Sequence, residues 1–163
     1  MKGKIFSINI AEKKKGGKSS VQSGELIKDI GLKGDAYNKP GDRQISLISI
    51  EKINEQDFCP RVRVSGELIP GDFSETLTIE GMNFEDVSVG DTFKIGENAL
   101  IEISQIGMTC YKFCPIGKEK DECPLPKYFL FAKVLKSGVV VIDDTFKKIL
   151  RINKKIIKQF DNT

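Results

Sequence analysis

The 163-residue chain contains no histidine. That absence excludes much chemistry at once. A cysteine hydrolase needs a base beside its thiol, and histidine is the usual one. A cysteine protease is therefore nearly excluded. Zinc sites commonly combine cysteine with histidine, so any zinc here would have to rest on thiolates. Long apolar runs are also missing. Nowhere do roughly 18 apolar residues follow one another, so no membrane-spanning helix is expected. The amino terminus, MKGKIFSINIAEKKK, has a brief apolar run and then lysines, which does not read as a signal peptide. No charge sign dominates: 26 basic against 23 acidic side chains leave +3, too balanced to argue for nucleic acid. There is no internal repeat and no low-complexity segment. The expectation is a cytoplasmic single-domain protein with neither a nucleic-acid nor a membrane partner. A chain of this length can bury a sizeable core without disulfides or metals.

Against these absences, the four cysteines stand out. Cys110, Cys114 and Cys123 all fall in QIGMTCYKFCPIGKEKDECPLP, and Cys59 stands alone upstream. In a reducing compartment, such residues are free thiols, ligands or redox groups rather than structural staples. A structural zinc site wants four ligands, usually as two close pairs. Cys59 is the only available fourth thiolate, and it is remote. An iron–sulfur cluster meets the same shortage. Sulfur chemistry asks for less. A thiolate can take up a sulfane sulfur and become a persulfide, or act as a soft donor to a transition metal. Either role needs a lowered thiol pKa, which Lys112, Lys118, Lys120 or Lys127 could supply. Cys110 is the first choice because it directly follows an expected strand that can aim it. Cys114 and Cys123, beside Pro115 and Pro124, are accessory thiols. The plain alternative is that these cysteines are buried small hydrophobes.

Periodicity points to many short strands. GKIFSINI puts Phe6, Ile8 and Ile10 on one face. AEKKKGGKSS reads as a polar, basic loop. GELIKDIGLKGDAY gives a strand and then a turn at Gly31, Gly34 and Asp35. DRQISLISIEKINEQ starts as a strand through Ile45 and Leu47 and becomes a short helix from about Ser49. RVRVSGELI alternates. Leu77 and Ile79 share a face. GDTFKIGENALIEISQIG reads as two strands joined at Gly96 to Asn98. YFLFAKVLKSGVVVID holds two more strands across Ser137-Gly138. In DTFKKILRINKKIIKQF, Phe146, Ile149, Leu150, Ile156, Ile157 and Phe160 recur at helical spacing among lysines, so a basic amphipathic helix is the better reading, with a strand, favoured by Ile and Phe, as the alternative. The fold class is mainly β: a closed or nearly closed barrel with a few short helices and a C-terminal basic helix. The expected division is a barrel domain over residues 1–146 and an amphipathic basic tail over 147–163.

GLKGDAY, DRQISLISIE, PGDFSETLTIEG, VGDTFKIGENALIEISQIGMTC and FAKVLKSG follow one another in an order that resembles MOSC domains. These domains are named for the C-terminal part of molybdenum-cofactor sulfurase. The resemblance runs from Ile5 to about Phe146, and the cysteine spacing with the later CPLP is similar to the small stand-alone bacterial members. It implies a β-barrel, and a cysteine at the position of Cys110 that carries sulfur or ligates molybdenum. It also implies a basic pocket for the pterin of the molybdenum cofactor (molybdopterin) and its phosphate. Arg43 of DRQISL and Lys15 or Lys18 of EKKKGGKSS are the corresponding anion contacts. Arginine suits phosphate because its planar fork bonds two oxygens at once.

Three departures stand beside that likeness. Asp42 replaces the histidine of HRQVSL, Thr76 replaces the amide of AENIT, and Asp143 replaces a glycine in the closing turn. Asp42 would add negative charge beside Arg43. Asp35 could orient Arg43 or close a turn, and the turn is the better reading. The sequence does not contain the pyridoxal-phosphate sulfurase domain of longer family members, and is not expected to generate persulfide sulfur by that route alone. The function implied is that of a sulfur carrier or cofactor-binding protein, with the pterin or another small molecule as ligand. A sulfur donor or a molybdoenzyme would be its protein partner, and whether it is an enzyme is left open. The alternative is a non-catalytic barrel, a binding or assembly module with structural or zinc-holding cysteines.

Overall fold

The computed structural model describes residues 1–15, 17–55, 69–109 and 125–149. In chain order its elements are β1 (Lys2–Ile10), β2 (Ser19–Val21), β3 (Ser23–Ile27), β4 (Gly31–Leu32), β5 (Ile45–Ser49), α1 (Ile50–Asn54) and β6 (Leu77–Glu80). A 3-10 turn at Phe84–Asp86 follows, then β7 (Thr92–Ile95), β8 (Ala99–Ile106), α2 (Leu125–Tyr128), β9 (Leu130–Lys136), β10 (Gly138–Val141) and β11 (Thr145–Ile149).

Alternation of apolar and polar residues gives each strand one greasy face, and curling the sheet on itself buries all those faces together. The strand order is β11-β7-β8-β9-β5-β6-β1, and β1 pairs again with β11, so seven strands close into a barrel. β2 is appended to β1. β5 and β6 run parallel, whereas the other barrel pairs are antiparallel. A second sheet, β10-β3-β4, packs alongside. The barrel is filled by Ile5, Ile8, Leu47, Leu77, Ile79, Phe93, Ile95, Ile101, Ile103, Val134 and Phe146, all fully buried. Phe93 stacks on Phe146 at 4.7 Å between ring centroids. Such an interior is a packed core, so binding chemistry belongs to the outer face and the rim.

The hairpin expected at Gly96–Asn98 joins β7 to β8. The helix expected after Leu47 is α1. Ser49, extended at φ −83 and ψ 144, accepts from the Lys52 N–H at 3.1 Å and satisfies one unpaired donor of the first turn. Ile50 and Ile53 then face inward. They join Ile48, Phe129 and Phe131, with Phe73 and Met108 packed against them, in a second apolar cluster.

Two expectations are corrected. Phe6 does not share a face with Ile8. The β1–β6 register shifts between Ile5 and Ser7, so Ile5 and Ile8 both enter the core while Phe6 is left 39% exposed. One extra residue in a bulge reverses the alternation. The start of the tail is a strand, not a helix. β11 runs to Ile149, past the expected boundary at Phe146, because its backbone is paired on both sides, with β1 and with β7. A helix there would leave the barrel open. Of the alternating segment from Arg61 to Ile69, residues 61–68 lie outside the described residues, as does the tail after Ile149.

Candidate functional site

β8 leads into the segment that carries Cys110, Cys114 and Cys123. These cysteines, Cys59, and Lys112, Lys118 and Lys120 lie outside the described residues. The two stems of that segment are described. The Gly107 N–H donates to the Phe129 carbonyl at 2.7 Å, and the Met108 N–H to the Pro126 carbonyl at 2.9 Å. The β8–β9 ladder thus continues past Ile106 and Leu130. Met108 is seated in the second apolar cluster, so the strand that reaches toward Cys110 is anchored by packing as well as by hydrogen bonds.

Beside this stem lies Arg43. In register, Gln105 of β8 faces Phe131 of β9, and Phe131 faces Ser46 of β5. Cross-strand partners point to the same side of a sheet, so Gln105, Phe131 and Ser46 form a row on the outer face of the barrel. The Arg43 guanidinium lies 4.6 Å from the Phe131 ring centroid, and its Nε donates to Gln105 Oε1 at 2.9 Å. The cation–π contact and one hydrogen bond hold the guanidinium in place. Gln105 in turn donates through Nε2 to the Gly107 carbonyl at 2.8 Å. Arg43 is therefore tied through Gln105 to the backbone two residues before Thr109.

The row continues on the other side. Ser46 and Thr76 hydroxyls lie 3.4 Å apart, and Lys18 Nζ donates to Thr76 Oγ1 at 3.4 Å. Lys18 is also paired with Asp35 Oδ2 at 3.1 Å, and both side chains are buried, 2% and 3% exposed. The other Asp35 oxygen accepts from the Ala11 N–H at 2.9 Å. Asp35 closes the turn, as its N–H donates to the Leu32 carbonyl, and it clamps Lys18 rather than orienting Arg43. Lys15 is exposed, in the left-handed region at φ 65, and its N–H donates to the Tyr37 hydroxyl at 2.9 Å. The loop bearing these lysines covers a depression of about 220 Å³, lined by Ile10, Glu12, Lys13, Gly17, Lys18 and Ser19.

Asp42 turns away from the arginine fork. Its Oδ1 pairs with Lys133 Nζ at 3.0 Å, and its carbonyl accepts from the Ser104 hydroxyl. The aspartate holds the Lys133 ammonium above its ordinary pKa by hydrogen bonding and charge. One buried acid was not singled out from the sequence. Glu75 is fully buried: one carboxyl oxygen accepts from the Gly71 N–H at 2.6 Å and the Thr78 hydroxyl at 2.9 Å, and Oε2 has no partner among the described residues. Desolvation raises its pKa above the ordinary value. Gln105 and Phe131 were also missed, because only strand register shows that they flank Arg43. The described residues hold no group of three His, Cys, Asp or Glu side chains able to bind a metal.

The MOSC domain model matches residues 15–147. The chain belongs to the MOSC domain family. No curated protein matches it. Among solved structures it is similar to the YuaD protein from Bacillus subtilis, at 17% identity and a TM-score of 0.67, covering 90% of this chain and 94% of that one. It is also similar to YiiM from Geobacillus stearothermophilus, at 22% identity and a TM-score of 0.65, covering 91% and 76%. For YiiM from Escherichia coli the figures are 24% and 0.60, covering 94% and 72%. At these identities the neighbours establish the fold alone. MOSC domains are associated with molybdenum-cofactor functions. The chemistry of this MOSC domain's described donors fits one end of such a cofactor. Arg43 is exposed and held by Phe131 and Gln105, and its guanidinium suits phosphate oxygens.

Proposed function

We propose that this MOSC domain holds sulfane sulfur or ligates molybdenum through the Cys110 thiolate, with Arg43 taking the phosphate end of a pterin cofactor. The observation that carries the reading is the mounting of Arg43: over the Phe131 ring, bonded to Gln105, and tied through Gln105 to Gly107 on the stem of the cysteine segment. Lys18 is already neutralised by Asp35 inside the protein, so its part is to hold the loop over the barrel. Lys15 is exposed and can add a long-range positive potential to the same side.

As a carrier, the Cys110 thiolate attacks the outer sulfur of a donor persulfide. The donor's S–S bond breaks, a new S–S bond forms on Cys110, and the donor leaves as a thiolate. No net oxidation is needed. The donor is a separate protein persulfide. Molybdenum, when bound, would supply a soft-ligand redox centre that a thiolate can hold. Arg43 would bind and orient the phosphate, and its charge would favour the anionic form of a nearby thiol.

The test is native mass spectrometry of protein purified anaerobically from its own host, for wild type, Cys110→Ser and Arg43→Lys. The expected result is added sulfur or a pterin mass in wild type, loss of sulfur in Cys110→Ser, and reduced pterin in Arg43→Lys. Full sulfur loading in Cys110→Ser, or stoichiometric zinc with slowly alkylated thiols, would replace this reading with a structural one.

A further inference from the structure

The strand pairings place Lys2 of β1 opposite Lys147 of β11, and Lys147 opposite Lys94 of β7. All three side chains are exposed on the outer face of the barrel. Adjacent strands are about 4.8 Å apart, so the row is about 10 Å long. Like charges directly opposite each other destabilise a sheet. Three other lysines on the barrel strands are paired with acids. Lys4 bridges Glu80 and Asp143, Lys133 bridges Asp42, and Lys148 bridges Asp91. Among the described residues, Lys2, Lys94 and Lys147 have no acidic partner. Beyond Lys94 the row passes Leu100 of β8 to another exposed lysine, Lys136 of β9.

We propose that this lysine row is a docking strip for an acidic helix on a partner protein. The match is geometric. Carboxylates three and four residues apart on one helix face are about 5–6 Å apart, close to the strand spacing. A helix laid across the strands therefore sets one carboxylate on each lysine. Duplex DNA fits less well, because the strip is short and Glu80 and Asp143 flank it at Lys4. A flat anionic membrane meets the curved barrel over fewer lysines. The strip is also separate from the described stem of the cysteine segment. It crosses β8 at Leu100, and the segment leaves that strand after Ile106, about 20 Å further along at ordinary strand rise. A partner docked there leaves the stem of the cysteine segment open.

The probe is a labelled alanine-based helical peptide with glutamates at i, i+4 and i+7, followed by fluorescence anisotropy at about 50 mM salt. The control peptide has the same composition with its glutamates spread round the helix. The aligned peptide should bind about tenfold tighter than its isomer, and binding should fade by about 300 mM salt. Replacing Lys2, Lys94 and Lys147 together by serine should abolish the preference, while the triple arginine variant should keep it. Serine at Lys14, Lys33 and Lys39, an equal loss of charge elsewhere, should leave it intact. Equal binding of both peptides, or a preference that survives the triple serine variant, overturns the proposal. Tighter binding of a 20-base-pair duplex or of phosphatidylserine vesicles through the same lysines overturns the assignment of a protein partner. None of these readouts involves Cys110 or Arg43, so they fail or succeed apart from the sulfur and cofactor reading.

Discussion

Replacing Lys18 by methionine tests whether this lysine is part of the framework. The substitution keeps the length of the stem and removes the ammonium. It leaves the Asp35 carboxylate, 3% exposed, with the Ala11 N–H as its remaining hydrogen-bond donor. Breaking one half of a buried ion pair costs about 3–5 kcal/mol, because the surviving charge stays in a poorly solvating place. The lower end applies, since Asp35 retains that hydrogen bond. The expected loss is thus about 3 kcal/mol, or a fall in Tm of about 6–12 °C for a domain of this size. Removing both charges with Lys18→Met and Asp35→Asn leaves two neutral groups and should restore most of the loss. Urea unfolding of wild type, both single variants and the double variant gives the coupling energy directly. A value of about 1.5 kcal/mol or more is expected. A coupling below about 0.5 kcal/mol would mean that water reaches the pair, and would return Lys18 to the candidate anion contacts.

Glu75 gives a prediction in pH. Its folded pKa lies above 4.5 because burial disfavours the charged form. Above 4.5 the unfolded chain gives up this proton while the folded chain still holds it, so stability from this group is full below 4.5 and falls as pH rises through the folded value. Glu75→Gln should show a flatter stability profile above pH 4.5 in urea titrations than wild type, and an equally steep one would refute the burial argument. Gly31→Ala should destabilise by about 2 kcal/mol or more, since its φ is 128 and a Cβ would sit 2.4 Å from the Gln44 carbonyl oxygen; a thermal melt within a degree of wild type would contradict that. Asp143→Gly should stabilise by about 0.5 kcal/mol, because Asp143 holds a left-handed φ of 70 and its ion pair with Lys4 is exposed; a lower urea midpoint would show that the ion pair outweighs the backbone. Arg43→Lys should weaken binding of a phosphorylated pterin about tenfold while leaving Tm nearly unchanged, as titration calorimetry would show.

Most strands were legible because alternation and turn residues agree locally. The Gly96–Asn98 hairpin and the Ser49 cap are examples: each signal lies within a few residues of the structure that it specifies. What escaped depends on partners distant in sequence. Phe6 alternates correctly with Ile8, and only the pairing of β1 with β6 reveals the bulge that turns it outward. FKKIL fits helical and strand spacing alike, and closure of the barrel decides between them by giving β11 a partner on each side. Lys18 looks like one more loop lysine until Asp35 is brought beneath it. Family resemblance pointed to Arg43, but composition could not show the Phe131 ring and the Gln105 acceptor that hold it.

Two of the departures from the usual MOSC pattern, Asp42 and Thr76, are absorbed by their neighbours. Asp42 adds a negative charge beside Arg43, yet its carboxylate is taken by Lys133 and its carbonyl by Ser104. The pair contributes no net charge, so the guanidinium keeps its attraction for an anion. Thr76 lacks the two N–H donors of an amide but keeps an acceptor oxygen. Its Oγ1 receives the Ser46 N–H at 3.1 Å and the Lys18 ammonium at 3.4 Å. What is lost at that position is donor capacity, and the acceptor role holds β5, β6 and the lysine loop together. Both changes therefore have a local compensation, and the exposed Arg43 remains over Phe131 beside the stem that leads to Cys110.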